Sequence, residues 1–553
     1  MNDSEIPEVS LPQIGTAVDG FAEVVESASA SAADRTSHGK GIDDHQVHCE
    51  RIAYLASQLE AVRAACEYAE SMEEAGLDPG SAVDQAAVVA GEVLSGLTAQ
   101  VVAAPEDFDL NSSATEWLSA GRTRDSIALF CGEARVRALG RRIAETRGVN
   151  NGWLADDDAI MVRDSVRSFA EQELGPIAER IHRHDELVPD SLISKMAEMG
   201  YFGMSAPEEY GGLGMGNLPM ILTTEELSRV SLAAGGSLIT RPEILTKALL
   251  KGGTEEQKSK WLAAVGSGEL MVGISVTEPD VGSDVASVAC RAEPATEGGR
   301  KGYRINGAKA WCTFAGRANV LALLARTDFS EGSGARGLSL FIVEKDPFDG
   351  HEFCQRQEGG GVLEGKADAT PGYRGMHSFT LSFENYFVPE ENLVGGESGK
   401  NKGFYLQMNG FAAGRLQTGG RACGLAQAAL EVSAAYVADR RQFGRPLSEF
   451  QLTQYKLGRM ASHLHACRCL TYKAALAMDR DERASLQPAM AKLLACDMAV
   501  HVAQEGQLLH GGWGYAEEYP ISRYVVDAQV LPIFEGVKPI LELKVIARQL
   551  LAS

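Results

Sequence analysis

The sequence predicts an α+β multidomain protein in which two helical regions precede a compact β region and a third helical region closes the chain. Three observations carry this. Apolar residues recur at helical spacing before about residue 273 and after about residue 400. Between those limits the apolar segments are short, β-branched or aromatic, and separated by Gly, Asn and Asp turns. The strands do not alternate with helices, which excludes a doubly wound dinucleotide-binding sheet. A chain of 553 residues exceeds one hydrophobic core, so several domains are expected.

Residues 1–45 are rich in Ala, Ser and acids and read as an acidic flexible tail; the first fifty residues set ten acids against Arg35 and Lys40. Residues 46–150 read as an extra all-helical domain, Ala- and Leu-rich in "IAYLASQLEAVRAACEYAE" and "DSIALFCGEARVRALGRRIAE", with "RGVNNGWL" punctuating its end. Residues 151–273 form a second helical domain. Its "DDDAIMVRDSVRSFAEQELGPIAERI" opens on acids, and "TEEQKSKWLAAVGSG" has the Thr-x-x-Gln shape of a capping box. Residues 274–396 form the β domain, with strands expected in "VGISVTE", "YRINGAKAWCT", "VLALLART", "LSLFIVEK" and "HSFTLSFENYFVP". Within it, "HEFCQRQEGGGVLEGKADATP" is long for a connection, and loops of that size are usually functional or mobile. Residues 397–553 return to helix.

Composition narrows the function. Hydrophobic content of 45% with 23% charged residues is ordinary for a soluble globular protein. A net charge of −23 argues against nucleic acid, whose backbone needs a basic patch. No apolar run is expected to reach membrane-spanning length and no leader follows Met1, so no membrane association and a cytoplasmic location are expected. Ten scattered cysteines without a CxxC pair read as free buried thiols. Neither "HLHACRC" nor "HQVHC" has a partner cluster at zinc-site spacing, so no metal is expected.

One short stretch carries a chemical question. In "QVLPIFEGVKPI" a single carboxylate, Glu535, stands in an apolar run and is followed by Gly536. An acid before a helix is often a cap or a dipole partner. A carboxylate in apolar surroundings is also a better proton acceptor near neutral pH, which makes Glu535 a candidate general base.

Nine segments in order decide between these readings. From about residue 152 to 549 run "PEEYGGLG", "GTEEQK", "VTEPDVGSD", "INGAKAWCT", "YRGMHSFTLSFENYFVPEENLVG", "GRLQTGGRACGLAQAAL", "ADRRQFGRPLSEFQ", "HGGWGYAEEYP" and "FEGVKPILELKVIAR". Together they resemble the acyl-CoA dehydrogenase family of flavoproteins. The resemblance implies the acyl-CoA dehydrogenase fold (helical domain, middle β domain, C-terminal helical bundle), here with an extra N-terminal all-helical domain. It also implies FAD and the oxidation of acyl-CoA thioesters to 2,3-enoyl-CoA. A glutamate removes the α-proton while the flavin N5 accepts the β-hydride, and "FEG" places Glu535 in that role. The position used for the base by a minority of members is Gly414 here.

The remaining roles follow the same resemblance. Val276, Thr277, Gly282 and Ser283 would line the isoalloxazine, with Trp311 packed on the ring and Thr313 close to N5. Arg440, Gln442 and Phe443 would reach the FAD of a neighbouring subunit, and Gly511 and Gly512 its adenosine side, which implies at least a dimer. Arg415 and Gly536 would lie on the substrate side. Three positions depart from the family pattern: Leu508 with Gln507 one step earlier, Val526, and Val537.

Two features narrow the substrate. The N-terminal extension resembles that of family members acting on (2S)-methylsuccinyl-CoA. Arg241 in "SLITRPEIL" falls on the helix that closes the acyl pocket, where a buried substrate carboxylate would need a cation. Ser237 and Thr240 could assist, and Tyr373 and Arg374 are further candidates. The expected reaction is therefore FAD-dependent dehydrogenation of (2S)-methylsuccinyl-CoA to mesaconyl-CoA in the ethylmalonyl-CoA pathway. Electrons would pass to electron-transfer flavoprotein, and the expected assembly is a homodimer, with a homotetramer as the alternative. Two other readings stay open: a short-chain or branched monocarboxylic substrate with Arg241 structural, and an oxidase using dioxygen.

Overall fold

The computed structural model describes residues 6–149, 152–481 and 484–552. They form two compact units, residues 1–161 with 418–553, and residues 162–417. The extra N-terminal helices thus share a unit with the C-terminal helices.

In chain order the first helices are α1 (Leu11–Arg35), α2 (Gln46–Glu74), α3 (Gly80–Ala103), α4 (Ser112–Ser119), α5 (Gly121–Cys131) and α6 (Glu133–Glu145). The flexible tail expected over residues 1–45 is corrected: most of it is α1. Its Ile14, Phe21, Val24 and Ala28 recur at helical spacing and are buried. The Ser10 backbone N–H donates to Gln13 Oε1 at 2.9 Å at the helix start. Trp117 fills the notch left by Gly20, where a Cβ would come within 2.0 Å of the indole. The high Ala and acid content masked an apolar stripe.

Helix α3 is long and apolar enough to cross a membrane, contrary to the expectation of no such run. Of that apolar window 56% is buried inside the protein, so α3 serves as a core helix, with Val88 packed on Val136 and Leu139 of α6.

Next come α7 (Asp157–Phe169), α8 (Gly175–His184), α9 (Asp190–Glu198), α10 (Asn217–Val230), α11 (Thr240–Gly252) and α12 (Glu255–Gly266). The capping box read at Thr254 is present: its hydroxyl accepts from Gln257 N at 3.3 Å, and its own N–H donates to Gln257 Oε1 at 3.1 Å.

The strands are β1 (Val272–Ser275), β2 (Arg291–Glu297), β3 (Arg300–Thr313), β4 (Val320–Arg326), β5 (Leu338–Glu344), β6 (Glu352–Arg356), β7 (Val362–Ala367) and β8 (Ser378–Pro389). They make one sheet ordered β1-β4-β2-β3-β8-β7-β6, with β5 on β4. Three strands escaped the sequence reading. β2 carries charges and a proline on an open face, and β6 and β7 fold the long "HEFCQRQEGGGVLEGKADATP" segment into a hairpin on β8.

The last helices are the single turn α13 (Gly396–Gly399), α14 (Gly403–Asp439), α15 (Gln451–Arg480), α16 (Leu486–His510) and α17 (Ile521–Ala528), followed by a helical run from 538 to 551 with a π-helical middle, Leu541–Ala547. Within the first unit, α6 and α15 meet at backbone distance: a Cβ on Gly140 would lie 1.7 Å from the Gln454 carbonyl oxygen, and one on Gly458 2.0 Å from that of Val136. Ion pairs reinforce the docking. Glu92 of α3 takes both Arg459 (2.7 Å) and His463 (2.8 Å) of α15, and Lys473 reaches Glu67 at 2.7 Å.

Candidate active site

Glu535 sits in the turn between α17 and the terminal helical run. Its φ is +54° and that of Gly536 is +96°, so two successive residues hold left-handed backbone. For a non-glycine residue this conformation is unfavourable and needs support from its surroundings. Support is visible. Lys492, 1% exposed, donates its Nζ to the Gly536 carbonyl at 2.7 Å, and the Lys538 N–H closes the turn on Pro532 O at 3.0 Å. The Arg421 guanidinium lies over the Phe534 ring at 4.6 Å. The carboxylate is half-buried, and its buried Oε2 meets no hydrogen-bond partner among the described residues. A poised, unengaged oxygen on a rigid turn is what proton abstraction requires. The cap reading is not realised, since no side-chain cap bond forms at the start of the helical run.

In the same unit an open pocket of about 570 Å³ brings together Arg440, Gln442, Gly511 and Gly512, with Leu508 and Trp513 on its wall. Arg440 and Gln442 are exposed, and a Cβ on Gly511 or Gly512 would meet nothing within 4 Å. Leu508, not Gln507, lines this pocket; the Gln507 amide is turned away, donating to Gly514 O at 3.1 Å. Phe443 and Gly444, at φ +52° and +82°, form the two-residue turn of a tight hairpin. That turn holds Phe443 outward at 94% exposure. An exposed aromatic beside an arginine and a glycine cradle suits a dinucleotide, with the guanidinium matched to a pyrophosphate.

In the second unit the flavin-loop candidates rest on a buried ion pair that the sequence reading missed. Lys309, 0% exposed, donates to Glu278 Oε1 and to Val276 O, both at 2.9 Å. The Glu278 carboxylate also accepts from the backbone N–H groups of Ala289 and Cys290, each at 2.8 Å. A buried charge pair with its lone pairs satisfied fixes loop geometry, and removing one partner would cost about 3–5 kcal/mol. The loop docks on β3 through Ala310 N to Thr277 O at 2.8 Å, directly before Trp311. Trp311 holds φ +58° and is 60% exposed, a large flat face offered outward rather than core packing. Thr313 is buried, and its hydroxyl bonds that of Ser378 at 2.9 Å. Gly282 and Ser283 lie exposed at the loop's far side.

Arg241 opens α11 at 5% exposure. Its Nη1 donates to the Ser237 carbonyl at 2.7 Å and its Nη2 to the Tyr373 hydroxyl at 3.0 Å; Tyr373 in turn donates to Ser237 Oγ at 2.7 Å. No carboxylate among the described residues pairs with this guanidinium. The nearby Glu243 is engaged instead by Ser205 and, at 3.5 Å, by Lys247. Thr240 turns its hydroxyl back to Gly236 O at 3.4 Å. Tyr373 belongs to the segment entering β8, five residues before Ser378. Arg415 is half-buried and Gly414 buried on α14, which presses on α11 where Gly410 meets the Ile244 carbonyl.

Arg374 donates to the carbonyls of Thr370 and His182 and approaches Asp185, which also meets His377 Nε2 at 3.1 Å. Asp185, His351 and His377 are, among the described residues, one group whose donor atoms could hold a metal ion. The Arg374 guanidinium, 3.4 Å from the same Asp185 oxygen, already supplies a cation there. The "HLHACRC" run serves packing: His463 pairs with Glu92, and the half-buried His465 lies against Cys469 at 3.6 Å.

Three family patterns match the chain: the acyl-CoA dehydrogenase N-terminal domain over residues 156–269, the middle domain over 273–386 and the C-terminal domain over 401–551. The chain belongs to the acyl-CoA dehydrogenase family, and its activity is that of an acyl-CoA dehydrogenase, an oxidoreductase. Among its relatives is (2S)-methylsuccinyl-CoA dehydrogenase of Cereibacter sphaeroides, 42% identical over 397 residues that cover 72% of this chain and 70% of the relative. A glutaryl-coenzyme A dehydrogenase solved with glutaryl-CoA superposes with a TM-score of 0.65 at 31% identity, covering 72% of this chain and 97% of that one. A glutaryl-CoA dehydrogenase from Mycobacterium smegmatis in complex with FADH2 gives a TM-score of 0.61 at 25% identity, covering 70% of this chain and 94% of that one.

Proposed function

We propose that this protein dehydrogenates (2S)-methylsuccinyl-CoA to mesaconyl-CoA with FAD as its cofactor. The observation that carries the substrate is Arg241: a buried guanidinium held by neutral partners and, among the described residues, left without an acid of its own. Burying an unpaired charge is costly, and a substrate carboxylate is the natural counter-ion. Tyr373 and Ser237 fix the guanidinium fork before substrate arrives, so little ordering is left to do on binding. Two relatives support this reading: the matched methylsuccinyl-CoA dehydrogenase, and the glutaryl-CoA enzyme, whose ligand is also dicarboxylic. With 70% of the former and 72% of this chain covered, each has a further part of similar share outside the match.

Glu535 removes the proton next to the thioester carbonyl, and the backbone N–H of the same turn is a donor for the developing enolate oxygen. FAD would be held by Trp311, Thr313 and the 276–283 loop of one copy and by Arg440, Gln442, Gly511 and Gly512 of a second copy, and when bound it supplies the two-electron hydride acceptance. The electrons leave to electron-transfer flavoprotein. Arg440, Gln442 and Phe443 reach the cofactor of a second copy in a homodimer, a reading supported by the 94% exposure of Phe443.

Anaerobic incubation with methylsuccinyl-CoA, followed by mass analysis of the thioester, tests the reaction. Wild type yields a product two hydrogens lighter and a bleached flavin; Glu535→Gln does neither at a measurable rate. A Glu535→Gln variant that bleaches its flavin at the wild-type rate removes Glu535 from the mechanism.

A further inference from the structure

The N-terminal extension reaches the turn that carries Glu535. Lys538, three residues beyond the glutamate, ends its side chain in a nest built from three elements. Its Nζ pairs with Asp497 Oδ2 of α16 at 2.8 Å and lies over the ring of Tyr54 of α2 at 4.9 Å. Glu50, one helical turn before Tyr54 on the same face of α2, and Glu542, one turn after Lys538, add two more carboxyl groups. Burial pushes the Glu50, Asp497 and Glu542 carboxyls up, and the Lys538 charge draws each of them back down. Lys538 therefore lies among three half-buried or buried acids, and α2 supplies one of them, Glu50, together with the aromatic face of Tyr54.

That seat matters because the Glu535 backbone is left-handed and holds its shape only where its neighbours fix it. Lys492 fixes the Gly536 carbonyl and Arg421 lies over Phe534; Lys538 is the third hold, and the extension secures it. We infer that helix α2 of the extension, through Tyr54 and Glu50, seats Lys538 and thereby fixes the turn that presents Glu535, making Tyr54 a positioning residue for proton abstraction. This rests on Glu535 being the base and gives the extension a part in the chemistry rather than in assembly alone.

The test uses full-length holoenzyme and the acyl-CoA that bleaches the wild-type flavin, methylsuccinyl-CoA on the reading above. Tyr54→Leu keeps apolar bulk but removes the ring face, and Tyr54→Phe keeps the face. In anaerobic stopped flow at saturating substrate, Tyr54→Leu bleaches about 10- to 100-fold more slowly, the range expected for a base displaced by part of an ångström. Its substrate Kd and FAD content stay at wild-type values, and Tyr54→Phe restores the rate. Bleaching by Tyr54→Leu at the wild-type rate overturns the inference, as does a Tyr54→Phe rate no better than that of Tyr54→Leu. Should Tyr54→Leu lose FAD, Glu50→Gln carries the test: slower bleaching at unchanged Kd supports the seat, and an unchanged rate overturns it. A fast Tyr54→Leu beside a dead Glu535→Gln sinks this inference alone, whereas a fast Glu535→Gln sinks the base assignment beneath it.

Discussion

Replacing Arg241 with leucine removes the cation and nearly conserves the apolar stem. In the structure the guanidinium makes two hydrogen bonds, at 2.7 Å to Ser237 O and 3.0 Å to the Tyr373 hydroxyl. Losing them costs about 1 kcal/mol each in stability. Losing the counter-ion for a buried substrate carboxylate costs far more, about 2–5 kcal/mol in transition-state binding. At 1.36 kcal/mol per tenfold, kcat/KM for methylsuccinyl-CoA should fall by about 30- to 5,000-fold. Butyryl-CoA, with no distal carboxylate, is the internal control: its kcat/KM should hold or rise in Arg241→Leu, because an apolar end no longer faces a buried charge. Steady-state reduction of an artificial electron acceptor with both thioesters gives the two ratios. Equal losses on both substrates would make Arg241 a structural residue. No loss on methylsuccinyl-CoA would refute the carboxylate anchor outright.

Two further expectations concern the extension. Burial alone would push the Glu92 carboxyl up, but the hydrogen bonds and charges of His463 and Arg459 outweigh it and bring the group down to about 2. A carboxyl lowered on folding from an ordinary value of 4.5 adds stability above that value and loses it as pH falls toward 2. The loss amounts to about 3 kcal/mol in full and about 2 kcal/mol by pH 3, so the urea midpoint should drop progressively from pH 5 toward pH 2 in wild type and change less in Glu92→Gln; parallel curves would refute the pairing. Gly140→Ala should force α6 off α15, since its Cβ would lie 1.7 Å from the Gln454 carbonyl oxygen. A loss of at least about 2 kcal/mol and faster tryptic release of the extension are expected, and an unchanged melting temperature would contradict the packing.

What the sequence made legible is what short-range pattern encodes. The "FEG" glutamate, the "VTEPDVGSD" loop, the "WCT" tryptophan and the "RRQFG" turn each lie within a few residues, and each stands in the structure as a distinct local geometry: left-handed backbone at Glu535, Trp311 and Phe443, and a docked loop at Thr277. What the sequence hid is long-range. Glu92 meets Arg459 across 367 residues and Glu67 meets Lys473 across 406, so nothing local reveals that the extension belongs with the C-terminal helices. Nothing in the local sequence names the partners of Lys309 and Lys492, yet one anchors the 276–278 loop and the other the Gly536 carbonyl. A lone lysine inside "AMAKLLACDMA" is the signal that could have been read, because a charge on the buried face of a helix needs a partner. Helix α1 was obscured for the opposite reason: its buried stripe is partly alanine, which composition counts as tail as readily as core.

Which thioester reduces the flavin decides the substrate. The decisive measurement is anaerobic stopped-flow mixing of the wild-type holoenzyme with methylsuccinyl-CoA, and separately with butyryl-CoA and isobutyryl-CoA, following flavin absorbance. Fast bleaching by methylsuccinyl-CoA, with the monocarboxylic thioesters slow or silent, is the result predicted from a buried Arg241 that no acid among the described residues pairs. Fast bleaching by butyryl-CoA or isobutyryl-CoA alone would keep the family and contradict the dicarboxylate reading.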